Sequence, residues 1–162
     1  MTMEEIIDFV GGLEGVLTQR AQPGDGSPEI AWGDTFFYYA PEGAIPGAGQ
    51  PFATIVTKDY PGDASSRLGR PGVFRVNMAP GQEAFRAHTG RDPREGDAGA
   101  DAGAASPDAL DVVFAHPVYG SLGWLAVNNP GPATAGEVRR LLEQAHRLAQ
   151  ARRTRRGEVH GE

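Results

Sequence analysis

The chain has 162 residues, no cysteine and a formal net charge of −6. That length favours a single domain able to bury a core without covalent staples, and the missing cysteines exclude disulfides and thiolate metal sites. The acidic balance argues against a general nucleic-acid binder. With no basic, apolar leader and no apolar run near ~20 residues, neither secretion nor a membrane span is expected, and the expected location is the cytoplasm.

In chain order, Thr2-Met3-Glu4-Glu5 reads as a capping box. Met3, Ile6, Ile7 and Val10 follow at helical spacing, stopped by Gly11-Gly12. After turn chemistry from Gln22 to Pro28, the aromatic and β-branched run Glu29 to Tyr39 predicts a strand, with a bend or a tight turn at Gly33-Asp34. A Gly/Pro-rich loop, Pro41 to Pro51, leads to a second strand, Phe52 to Lys58, expected to pair antiparallel with the first. A loop from Asp59 to Gly72 precedes the strand Val73 to Asn77, in which Phe74 and Val76 share a face. Pro80 then opens a short helix that Gly90 closes.

Residues 91–108 are rich in Gly, Ala, Asp and Pro, with too little apolar area to offset ordering entropy, and are expected to be a mobile acidic insertion. Leu110 to Ala115 fits a short strand or the last turn of a helix. Trp124 to Asn128 predicts a strand, Asn129 to Pro132 a turn, and Thr134 an N-cap. The final helix carries the stripe Val138, Leu141, Leu142, Ala145, Leu148 and Ala149. The sum is an α+β domain over residues 1–156, with residues 157–162 a disordered tail. A meandering antiparallel sheet is covered on one face by the N-terminal and long C-terminal helices.

Charge is uneven along the chain. Six acids lie between Asp92 and Asp111 against Arg94, and seven arginines between Glu137 and Arg156 against two acids. Each block reads most simply as a solvated surface, with contact between them left open.

Three stretches carry a resemblance: Trp32 to Tyr39 leading into Phe52 to Val56, Val73 to Phe85, and Tyr119 to Val127 followed by the helix from Glu137 to Ala149. Together they resemble the bacterial YjbR/MmcQ-like, "double wing" family, which implies a frataxin-type α+β sandwich. The polar stretch before the family's tryptophan is here Tyr119-Gly120-Ser121-Leu122-Gly123, and the acidic insertion is a further departure. The runs His116 to Leu125 and Pro61 to Asn77 look closer still to uncharacterised bacterial proteins classed as a domain of unknown function, a likeness that implies no activity.

The candidate ligand-binding set centres on His116, Tyr119 and Trp124, which combine a group titrating near neutrality, a phenol and an indole around a Gly-rich turn. Trp32, Tyr38 and Lys58 are expected as neighbours from adjoining strands. The plainer alternative is a loop packed by its aromatics, with His116 bonded to backbone. Lys58 beside Asp59 reads as a surface ion pair, and Asn77 and Asn128 either face one ligand or cap turns. No spacing suggests a metal, and no phosphate loop, dinucleotide fingerprint or nucleophile elbow is present, so no cofactor is expected.

A non-enzymatic module binding a small molecule or a protein is therefore favoured. A small enzyme centred on His116 and Tyr119 is the alternative. A weak nucleic-acid binder using the Arg-rich C-terminal helix comes third. Self-association is left open.

Overall fold

The computed structural model describes residues 1–44, 49–95 and 106–160, with side chains through Arg155. The elements are α1 (Met3–Gly11), β1 (Val16–Arg20), β2 (Thr35–Tyr39), β3 (Ala53–Val56), β4 (Arg75–Met78), α2 (Gln82–Thr89), β5 (Val113–Ala115), β6 (Leu125–Asn128) and α3 (Ala135–His160). The strands form one antiparallel sheet in the order β1-β2-β3-β4-β6-β5. This is the expected α+β architecture. Among the described residues no helix is long and apolar enough to cross a membrane.

Alternation along the strands sorts the sheet into two faces. Phe37, Ala53, Ile55, Val76, Met78, Leu125 and Val127 point one way, into a core shared with Ile6, Ile7 and Val10 of α1 and Phe85 of α2. Val138, Leu141, Leu142 and Ala145 of α3 complete that core, as their spacing predicts. The capping box of α1 is present in full, with Thr2 accepting from the Glu5 amide and Glu5 from the Thr2 amide. Gly81 begins α2 at φ 100°, and a Cβ there would sit 2.8 Å from Leu148 Cδ1. Only glycine allows both that φ and that approach.

Several boundaries differ from expectation. The strand predicted over Glu29 to Tyr39 begins only at Thr35, and Glu29–Ala31 forms a short 3₁₀ turn. Gly33 at φ 93° breaks the extended run, because the Asp34 carboxylate turns inward to bond Thr57. β1 has no counterpart among the expected elements. It is an edge strand whose residues are only partly covered, so it carries no clean apolar alternation. Within Leu110 to Ala115 only Val113–Ala115 form a strand, β5, and Asp111 ahead of it stands at φ 56°.

Asp111 also changes the start of α3. Its carboxylate accepts from the amides of Gly131, Ala133 and Thr134 at 2.8–3.0 Å and from the Thr134 hydroxyl at 2.6 Å. Thr134 therefore spends its hydroxyl on Asp111, and a carboxylate borrowed from the β5 approach neutralises the helix end. Those bonds, the Thr134 hydroxyl foremost, hold the Asp111 carboxyl down at about 2. The helix runs to His160, beyond Gly157, where the expected tail begins.

The core of the expected mobile insertion, residues 96–105, lies outside the described residues. Its flanks are bonded: Asp92 pairs with Arg86 and Arg94, and Asp108 with Arg67. Asp92 finds its partners close in sequence and Asp108 finds its partner in the loop before β4, neither of them on α3.

Candidate functional site

The sheet face turned away from the helices carries Phe36 and Tyr38 of β2, Thr54 and Val56 of β3, and Arg75 and Asn77 of β4, all of which line one cavity of about 1440 Å³. The register places Phe36 opposite Thr54, Thr54 opposite Asn77, and Val56 opposite Arg75. Residues 57–72 and 116–124 fold over this face and supply Tyr60, Asp63, His116, Tyr119 and Trp124.

Arg75 is the organising residue. Its side chain is 2% exposed, and every branch of the guanidinium is engaged. Nε donates to Asn77 Oδ1 at 2.8 Å, Nη1 to Asp63 Oδ1 and Ser66 Oγ at 3.0 Å each, and Nη2 to Asp63 Oδ2 at 2.6 Å. This forked pair is the geometry that suits a buried guanidinium and carboxylate. Burial works against the ionised Asp63, but Arg75's bonds and charge outweigh it and hold the carboxyl below its usual range. Asn77 in turn donates to the Thr54 hydroxyl at 3.0 Å.

His116 sits 5% exposed at the edge of this network. Its Nδ1 accepts from the amides of Val118 and Tyr119 at 3.0 Å each, which places the neutral ring's proton on Nε2. Nε2 lies 3.3 Å from Arg75 Nη2. One nitrogen thus pins the loop and the other faces a cation, so the ring offers no free base to a substrate. This is the packed-loop alternative. Burial first, and Arg75's charge second, push the imidazole down to about 4, with Asp63 opposing.

That depressed value has a sign and a window. The neutral ring is favoured in the fold, so its contribution is complete above the ordinary pKa of about 6.5 and is lost as pH falls through about 4. Chemical denaturation at pH 7 and at pH 4.5 should show the parent losing on the order of 2 kcal/mol more than His116→Gln. Equal losses in the two proteins would contradict this placement of the ring.

The loop's aromatics stack as a wall. His116 and Tyr119 lie 4.9 Å apart by ring centroid, Tyr119 and Trp124 6.3 Å. Val118, Tyr119 and Leu122 are exposed along it, Leu122 at 72%. Among the described residues the Tyr38 and Tyr119 hydroxyls and Trp124 Nε1 have no hydrogen-bond partner.

Four of the six expected residues, His116, Tyr119, Trp124 and Tyr38, thus line one cavity. Trp32 and Lys58 are brought together elsewhere, behind Tyr60. Lys58 Nζ donates to the Trp32 carbonyl at 2.7 Å and lies 3.1 Å from Asp34, while the Trp32 indole donates to the Ser27 carbonyl. The partner of Lys58 is therefore the fully buried Asp34 and not Asp59, which accepts instead from the Leu68 amide. Tyr60 bonds Asp34 as well, and burial with that carboxylate raises its phenol far above the usual range.

The two asparagines part company. Asn77 lies on the cavity floor, whereas Asn128 donates to the Pro107 and Ala109 carbonyls outside it. Asp63, Arg75, Thr54 and Tyr60 were not among the expected site residues. The available signal was Arg75 itself, a charge set inside a run of strand-forming residues.

The chain belongs to a family of unknown function (DUF6194), whose model matches residues 1–158. No curated protein and no solved structure matches it.

Proposed function

We propose that this member of a family without an assigned activity is a non-enzymatic binding protein that takes a small molecule into the cavity over the open sheet face. The observation that carries this reading is the pairing of a polar floor, in which Arg75 and Asp63 satisfy each other beside Asn77 and Thr54, with aromatic walls that hold spare hydrogen-bonding groups. Ligand sites combine these features: apolar surface for affinity and a few fixed polar atoms for orientation. A catalytic role for His116 is disfavoured because Nδ1 is occupied by two backbone amides and Nε2, which carries the ring proton, is turned toward Arg75. Kinship with YjbR/MmcQ-like proteins and a cytoplasmic location belong to the same proposal, as does the expectation that nucleic acid is not the partner.

A second reading, docking of a protein, is favoured by the exposed Val118, Tyr119 and Leu122 beside the mouth.

A metabolite library screened by tryptophan fluorescence tests the first reading. A hit should lose tenfold or more in Thr54→Tyr, which fills the floor. Where that variant fails to fold, Tyr119→Ala on the exposed wall is the substitute. A hit whose affinity ignores both changes contradicts the proposal.

A further inference from the structure

The charges around the cavity narrow its occupant. Among the described residues five charged side chains line it: Glu42, Asp63, Arg75, Arg152 and Arg153. Three guanidiniums against two carboxylates leave the lining positive, on a chain whose net charge is −6. The two ends differ. At the buried end Asp63 cancels Arg75, and Arg75's bonds are all directed to protein atoms. An anion placed there would lose its water and gain no free cation, a costly exchange. What remains at that end is neutral: the Thr54 hydroxyl and the Asn77 amide, which spends one hydrogen on Thr54.

At the open end Arg153 reaches Glu42, while its neighbour Arg152 is exposed and has no partner among the described residues. The rings of Phe36, Tyr38, Tyr60 and Trp124 line the same cavity. Flat surfaces of this kind hold flat ligands by stacking.

Resting on the cavity reading above, we infer that the ligand is a flat aromatic molecule bearing one negatively charged group, with an uncharged ring edge against Thr54 and Asn77 and the acid at Arg152. The electroneutral floor rejects a charged head, and the Arg152 guanidinium at the mouth, without a partner among the described residues, selects an acidic tail.

A matched pair of probes tests this on the full chain: anilinonaphthalene sulfonate, aromatic and anionic, and uncharged N-phenylnaphthylamine. Each is titrated by fluorescence against the parent, Arg152→Gln, and Arg147→Gln, which removes an exposed arginine of the same helix outside the cavity. Arg152→Gln should weaken the sulfonate about tenfold, a loss of about 1.4 kcal/mol. It should leave the neutral probe within about twofold, and Arg147→Gln should change neither. A sulfonate affinity unmoved by Arg152→Gln, or weakened equally by Arg147→Gln, overturns the inference. In that case both probes would still bind and still lose affinity in Thr54→Tyr, so the cavity reading survives. Failure of both probes to bind the parent removes the cavity reading and the inference with it.

Discussion

Asp63→Ala is expected to destabilise the protein by about 3–5 kcal/mol, the usual cost of stripping one partner from a buried ion pair. The physical reason is what the change leaves behind. Arg75 is 1% exposed, is held by Asp63 through two nitrogens, and has only neutral partners otherwise. Removing the carboxylate strands a guanidinium between the sheet and two loops. For a chain of this size the melting temperature should fall by roughly 10 °C. The double change Asp63→Leu with Arg75→Met should recover much of the loss, because replacing both charges with apolar groups of similar volume is often close to neutral. An Asp63→Ala protein that melts within about 1 kcal/mol of the parent would mean that Arg75 reaches water.

The second large effect is on the opposite face. Leu141 of α3 is 1% exposed and packs in the core with Ile6, Phe85 and Val127. Leu141→Asp buries a charge with no partner and opens a cavity at once, and more than about 4 kcal/mol is expected. Arg147→Asp on the exposed side of the same helix should stay within about 0.5 kcal/mol of the parent. Similar melting of Leu141→Asp and the parent would put the wrong face of α3 on the sheet.

The two faces also explain what could be read from the chain alone. Period carries the covered face. The i, i+3, i+4 stripe of α3 and the capping box of α1 are local signals, and both stand as expected. β3, β4 and β6 are central strands whose apolar positions meet the helix-covered core, so their sequence pattern marks each to within a few residues. β1 is an edge strand, and Thr18-Gln19-Arg20 shows neither strong strand propensity nor alternation. Trp32 sits in a strand-forming run, but its backbone is fixed by the turn that brings Asp34 to Thr57, a contact 23 residues away.

The site divides along the same line. His116, Tyr119 and Trp124 are close in sequence, and they are close in space. The Arg75–Asp63–His116 network joins β4 to two loops across 12 and 41 residues. No local spacing encodes it. Its existence depends on which loops close over the open face, and that is decided by tertiary packing rather than by any motif.

The two tryptophans allow the most direct measurement. Trp124 lines the cavity and Trp32 lies outside it, with its indole bonded to Ser27. In a nitrogen-edited NMR titration with anilinonaphthalene sulfonate, the indole N–H of Trp124 should move progressively to saturation while that of Trp32 holds still. Thr54→Tyr should abolish the movement. Binding that shifts the Trp32 resonance, or that leaves Trp124 unmoved, would place the ligand elsewhere and contradict the cavity as this protein's binding site.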